Sequence, residues 1–209
     1  MSGSRWLLSV PRRCVDIVVA AVVLAVFSPL IAATALAVRM RLGSPVIFRQ
    51  ERAGLSGTPF ELLKFRTMTS TVDEHGELLS DQDRLTKFGE RLRASSLDEL
   101  PQLWCVLRGD MSLIGPRPLL LQYTDRYTPA QLRRLEARPG LTGWAQVNGR
   151  NGVDWPTKLA YDVDYIDRAS PWRDVQIVMR SPGAILGRRG ITDGQTATSA
   201  EFFGEHDEA

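Results

Sequence analysis

Asp98 and Glu99 stand side by side in the run Ser95-Ser96-Leu97-Asp98-Glu99-Leu100-Pro101, with Arg91 and Arg93 before them and Arg108, Asp110 and Gly115-Pro116-Arg117-Pro118 after. Carboxylates set among arginines suit phosphorus chemistry. An aspartate, with a reference pKa of about 3.9, is already the anion near neutrality and can attack phosphorus without a general base. Attack on a diphosphate needs cations to screen the incoming carboxylate and the departing phosphate, and Lys64, Arg93, Arg117 and Arg150 are the candidates. Mg2+ held through Asp98, Glu99 and substrate oxygens would complete such a site. A plainer reading competes. Ser96, Glu99 and an apolar run to Leu107 have the spacing of a capping box, with Gly109 as the helix stop and Asp110 paired with Arg108. That reading of Glu99 does not exclude function for Asp98, because a carboxylate in the first helical turn sits where the dipole favours its charge. Pro101 is expected to hold Leu100 out of the helical region, and the resulting kink to turn both acids toward one cleft.

Something must hold these groups, and the most conspicuous element is apolar. From residue 17 to residue 38 no side chain is charged, a stretch of about 20 residues that in helical form matches the hydrocarbon thickness of a bilayer. Arg12 and Arg13 precede it and Arg39 and Arg41 follow, so the charge bias does not favour opposite sides for its ends. Ser28-Pro29 lies at its middle, where proline removes a backbone donor and a serine hydroxyl can satisfy the freed carbonyl. The pattern alone leaves a spanning helix and a re-entrant hairpin even. A cleavable secretory signal ending near Ala35-Leu36-Ala37 fits less well, because the apolar run is too long and the residues after it are basic.

Beyond it, Pro45-Val46-Ile47-Phe48 and Pro59-Phe60-Glu61-Leu62-Leu63 flank Gly54, Ser56 and Gly57 and predict a β-hairpin that ends on Lys64-Phe65-Arg66-Thr67-Met68. Residues 69–90 read as a surface helix and loop. A short basic helix is expected between Pro129 and Ala137, then a glycine-bearing run from Pro139 to Arg150. Two amphipathic helices follow Pro156, separated by Ser170-Pro171, with core packing or a membrane interface as the fates of their apolar faces. The end of the chain, from about Thr192, reads as frayed and polar.

Composition narrows the function. The 209 residues suffice for one catalytic unit, and Lys+Arg 26 against Asp+Glu 24 gives a net charge of only +2, so nucleic acid is not an expected partner. Cys14 and Cys105 form no disulfide framework, which points to a reducing compartment; Cys14 is also a juxtamembrane palmitoylation candidate. His75 and His206 lack zinc-ligand spacing and read as exposed. There is no Gly-x-Gly-x-x-Gly and no phosphate-loop lysine motif.

The chain resembles the bacterial sugar transferases, the monotopic phosphoglycosyl transferases. The resemblance rests on Lys64-Phe65-Arg66-Thr67-Met68, on Leu97-Asp98-Glu99-Leu100-Pro101-Gln102-Leu103, on the run from Leu107 to Pro118, and on Pro139 to Arg150. It implies transfer of a sugar 1-phosphate from a UDP-sugar to a polyprenyl phosphate, usually undecaprenyl phosphate, with release of UMP, as the first membrane step of glycoconjugate assembly. It further implies that Asp98 is the nucleophile of a covalent phosphosugar intermediate and that Glu99 is its partner, helping to place Mg2+. Lys64, Arg93, Arg117 and Arg150 would serve the anionic site, and Ser28 and Pro29 would break a re-entrant helix on the cytoplasmic face of the bacterial inner membrane. Cys105 stands where the family commonly has asparagine. The chain is similar to the minimal catalytic form, whose members commonly take acetamido sugars; the donor sugar and the oligomeric state stay open.

The fold expected is therefore α+β and mostly helical, with a re-entrant segment over residues 1–41, a catalytic domain with a small hairpin and interfacial helices over 42–191, and a polar tail over 192–209. Two other functions compete: a membrane-tethered module that binds anionic lipids, with Asp98 and Glu99 as caps, and a phosphohydrolase with water as acceptor.

Overall fold

The computed structural model describes residues 3–149, 153–186 and 201–204. Arg150 and His206 lie outside the described residues, so nothing is placed at either. The chain opens with α1 (Gly3–Leu7), α2 (Val10–Val26) and α3 (Ser28–Leu42). Among the described residues no single helix is long and apolar enough to cross a membrane, whereas α2 and α3 together pass by length and composition and are bent by 65° at their junction. The bend has a local cause. Pro29 has no N–H to offer the carbonyl four residues back, that of Ala25, and the Ser28 hydroxyl donates to it instead at 2.8 Å.

One face of α2 is not apolar. Arg12, Asp16 and Ala20, four residues apart, are buried against the rest of the protein. Arg12 donates to the Leu7 carbonyl at 2.9 Å and to the Tyr165 hydroxyl at 3.0 Å, and pairs with Asp174 at 3.3 Å. Arg13 donates to the carbonyls of Val106 at 2.7 Å and Leu107 at 3.0 Å, a cation at the C-terminal end of a helix. The Asp16 carboxylate accepts from the Leu113 amide at 3.0 Å. These arginines therefore work inside the fold, whereas Arg39 and Arg41 at the other end of the apolar stretch are exposed. The opposite face of α2 exposes Val15, Val18, Val19, Val22 and Val26.

The hairpin is present and longer than its apolar residues suggest. β1 (Ile47–Ala53) pairs antiparallel with β2 (Pro59–Phe65), from Ile47 opposite Phe65 to Ala53 opposite Pro59. Its turn uses Ser56 and Gly57 at positive φ. Two short helices follow, α4 (Asp81–Arg84) and α5 (Lys87–Ala94), with the Ser80 and Thr86 side chains accepting from Asp83 and Gly89 amides at their N-termini. α6 (Gln102–Arg108) ends at Gly109, whose φ of 99° is the left-handed stop that glycine permits.

A second, parallel sheet of β3 (Ser112–Ile114) and β4 (Gly140–Thr142) adds to the hairpin. Between them lie α7 (Pro129–Leu132), continued by a 3-10 turn over Arg133–Glu136 where the short basic helix is expected. After β4 come α8 (Trp144–Asn148), α9 (Trp155–Arg168) and α10 (Pro171–Leu186), the last two separated at Ser170-Pro171 as predicted. Their fates differ. α9 buries Leu159, Asp162, Tyr165 and Ile166 in the core. α10 buries Ile177 while exposing Trp172, Val175, Val178 and Met179.

Of the tail expected to be frayed and polar, only residues 201–204 are described, and these are packed. Phe202 is 3% exposed and sits with ring centroids 5.3–5.7 Å from Tyr123, Tyr127 and Trp155. Glu201 pairs with Arg126 at 2.9 Å.

Candidate active site

Asp98 and Glu99 lie on a 3-10 turn, Leu97–Glu99, between α5 and α6. The expected capping box does not form: Ser96 adopts φ 56° and its side chain caps nothing. Leu100 is helical (φ −53°, ψ −36°) despite the proline after it, and Pro101 serves as the N-cap of α6. The tight turn explains how neighbours diverge. With about three residues per turn, successive side chains point roughly 120° apart. Asp98 is consequently buried, 6% exposed, whereas Glu99 faces two cations.

Glu99 Oε1 accepts from Lys64 Nζ at 2.7 Å and from Arg117 Nη2 at 2.9 Å. Lys64 comes from the penultimate residue of β2, opposite Phe48. Arg117 comes from the loop after β3, and that loop is held by backbone. Gly115 N–H donates to Thr142 and Gly140 N–H to Pro116, both at 2.9 Å. A Cβ on Gly115, Gly140 or Gly143 would meet backbone atoms of the facing segment at 2.4, 2.1 and 2.1 Å. These glycines permit close approach of two chains, and the approach sets where Arg117 emerges.

A second arginine fixes the first. Arg134, 2% exposed, donates through Nη2 to the Arg117 carbonyl at 2.7 Å and to Asp162 at 2.8 Å, through Nε to Asp162 at 3.0 Å, and through Nη1 to the Tyr127 hydroxyl at 3.2 Å. The sequence reading missed Arg134 and Asp162. A basic run such as Arg133-Arg134 looks like a solvated face until the partner 28 residues away is known.

Arg93, on α5, donates through Nε to Thr67 Oγ1 at 3.0 Å. α5 comes close enough to Thr67 that a Cβ on Gly89 would lie 1.8 Å from the Thr67 carbonyl oxygen. Burial lowers the Arg93 pKa, and the Asp98 charge opposes that. The structure thus brings Lys64, Arg93, Arg117, Asp98 and Glu99 into one electrostatic group. Arg150 is the sequence-predicted member that lies outside the described residues, and Ser28-Pro29 stands apart, at the helix break.

The two acids differ sharply in electrostatics. Burial pushes Asp98 up from 3.8 to about 6, against the pull of Lys64 and with the Glu99 charge adding to the rise. Burial acts on Glu99 in the same direction, but the charges of Arg117 and Lys64 and their hydrogen bonds overcome it and hold that carboxyl well below the usual range. Among the described residues no group of three or more His, Cys, Asp or Glu could cage a metal ion. The donor set is a carboxylate pair, suited to a hard dication only if other oxygens complete its shell.

Residues 7–188 match the family model described as bacterial sugar transferase. The chain belongs to the bacterial sugar transferase family. It is 47% identical over 94% of its length to an uncharacterised sugar transferase, EpsL, of Bacillus subtilis, covering 97% of that relative. It is 45% identical over 84% of its length to the UDP-glucose:undecaprenyl-phosphate glucose-1-phosphate transferase of Caulobacter vibrioides, covering 69% of it. A Xanthomonas campestris protein of the same description is 40% identical over 86% of this chain, which spans 40% of that longer relative.

Proposed function

We propose that this protein moves a sugar 1-phosphate from a UDP-sugar to a polyprenyl phosphate, undecaprenyl phosphate by analogy with its named relatives, through an acyl phosphate on Asp98. The observation that carries the reading is the asymmetry of the acid pair. Glu99 is neutralised by Lys64 and Arg117, whereas Asp98 is buried beside them and more basic than an ordinary aspartate. A poorly solvated carboxylate that is still ionised at neutral pH is a competent nucleophile.

In the first displacement a carboxylate oxygen of Asp98 bonds to the sugar-bearing phosphorus, and the bond from that phosphorus to the bridging oxygen breaks. UMP leaves with the electron pair. In the second, a phosphate oxygen of the polyprenyl phosphate bonds to the same phosphorus, the bond from that phosphorus to the Asp98 oxygen breaks, and the Asp98 carboxylate is restored. Lys64, Arg93 and Arg117 offset the charge that builds on the phosphoryl oxygens, and Glu99 keeps Lys64 and Arg117 in register. Mg2+ fits this arrangement as an ion held by Asp98 and Glu99 with substrate and water oxygens, where it would supply further charge neutralisation on the diphosphate.

The location we propose is the cytoplasmic face of the bacterial inner membrane, with α2 and α3 dipping into one leaflet. The bend at Ser28-Pro29, the valine face of α2 and the apolar face of α10 support it. One substrate is soluble and the other is a lipid whose phosphate stays at headgroup height, so a site at that height serves both.

The test is to mix the full chain with labelled UDP-glucose or UDP-N-acetylgalactosamine without lipid, quench, and map adducts by mass spectrometry. A sugar phosphate on the Asp98 peptide, cleared by adding polyprenyl phosphate, is expected. Free sugar phosphate without an adduct would indicate hydrolysis, and absence of UMP release from any donor would leave only the lipid-binding alternative.

A further inference from the structure

One arginine beside the site is paired with no carboxylate among the described residues. Arg52, on β1, donates to the Pro118 carbonyl at 3.5 Å and to Gln50 Oε1 at 2.5 Å, while its Nε is buried with no partner. Among the described residues no carboxylate pairs with it. Its position is nonetheless well defined: Arg52 bridges to Leu120, and the Ala53 amide donates to the Leu119 carbonyl at 3.2 Å, which stitches the end of β1 to the segment that follows Arg117.

The register places it on a line with the site. Opposed residues in an antiparallel pair project to the same face, so Phe48 and Lys64 share a face with Arg52 and Phe60. Lys64 and Arg52 mark two positions on that face, four residues or about 13 Å apart along the strands. Arg117, tied to Glu99 by its side chain and followed at once by the Pro118 that Arg52 contacts, connects them. Lys64, Arg117 and Arg52 make three cations against two carboxylates, Glu99 bonded to Lys64 and Arg117 and Asp98 buried beside them. Unbalanced charge next to a phosphoryl-transfer centre is what an anionic ligand would relieve.

We propose that Arg52 and Arg117 form an anion subsite that takes the nucleotide-side phosphate of the donor, the phosphate that departs with uridine. This rests on the transfer reading above. As the bridging bond breaks, the oxygen that stays with the nucleotide keeps the electron pair and gains negative charge, so a cation placed there acts on the leaving group rather than on the attacking Asp98. Burial, and then the Arg117 charge, lower the Arg52 pKa to about 10, which means that the guanidinium is destabilised until an anion arrives.

The experiment compares Arg52→Gln and Arg52→Lys with the parent chain in three measurements: calorimetric titration with UMP, steady-state kinetics in UDP-sugar and in polyprenyl phosphate, and thermal unfolding. Loss of one charge-assisted contact predicts about 10- to 100-fold weaker UMP binding for Arg52→Gln. Arg52→Lys, which keeps the charge but not the fork, should fall between. The KM for polyprenyl phosphate should stay within about twofold, and UMP should raise the unfolding temperature of the parent more than that of Arg52→Gln. Unchanged UMP affinity in both variants, or a loss confined to the lipid substrate, would overturn the subsite. A parent chain that binds UMP through Arg52 but never forms an adduct on Asp98 would retain the subsite and overturn the covalent transfer.

Discussion

In the folded chain the Asp98 carboxyl keeps its proton up to about pH 6, whereas its ordinary value is 3.8, so the native state binds that proton more tightly than the unfolded state. The stability this provides is fully present below pH 3.8 and is lost as pH rises through about 6. By linkage the loss is at most about 3 kcal/mol. Asp98→Asn should accordingly abolish turnover yet unfold several degrees higher than the parent at pH 7.5, with the difference shrinking toward pH 4; scanning calorimetry across pH checks this. Because the anion is the nucleophile, single-turnover adduct formation should rise with pH through about 6 and then level. Glu99 works in the opposite sense. Its pKa is depressed, so its contribution is present above the ordinary value of 4.5 and disappears only as pH falls through the lower folded value. Glu99→Gln leaves Lys64 and Arg117 without their shared counter-charge, and the expected result is a fall in kcat of about 100-fold or more, measured as UMP release.

The site's precision comes from elements meeting backbone to backbone. Gly140→Ala would drive a methyl to 2.1 Å from the Gly115 amide nitrogen, and the chain that yields would move Arg117. Destabilisation of about 1–3 kcal/mol is expected, with a larger loss of activity than the stability change accounts for. Gly183→Ala is the control, since a Cβ there meets nothing within 4 Å and alanine favours the helix. Urea unfolding paired with UMP release distinguishes the two. This contrast also shows what the amino-acid sequence made legible. Patterns that repeat over a few residues were readable: the alternating hairpin, the Gly109 stop, the break at Ser28-Pro29, and α9 and α10 on either side of Ser170-Pro171. Pairings across long separations were not. Asp16 with Leu113, Arg12 with Tyr165 and Asp174, and Phe202 with Tyr123 join residues far apart in the chain, and no local spacing encodes them. The same limit applied at the site, where the acid pair and three of its cations were apparent from type, while Arg134, Asp162 and the unbalanced Arg52 needed the tertiary structure. Local rules even misled at Ser96, where the left-handed backbone carried the chain into a 3-10 turn in place of a capping box.

For the molecule as a whole, the balance between the buried and the exposed faces of α2 should decide where the enzyme resides. Val18→Lys combined with Val22→Lys places two ammonium groups on the outward face without touching Arg12, Asp16 or Ala20. Lipid insertion of each is opposed by about 2.5–3.5 kcal/mol at depth, so flotation with anionic vesicles should fall at least 10-fold while the soluble fraction keeps its circular dichroism. Labelling of residues before Arg12 and after Arg41 should report the same side of the bilayer, and opposite sides would exclude a dip. The two cysteine thiols offer a way to follow this in the unmodified chain. Cys105 is sealed within the core and Cys14 is open at the start of α2. A maleimide fluorophore will therefore attach at one known spot, and its emission colour and quenching by bromolipids make the native enzyme its own depth gauge.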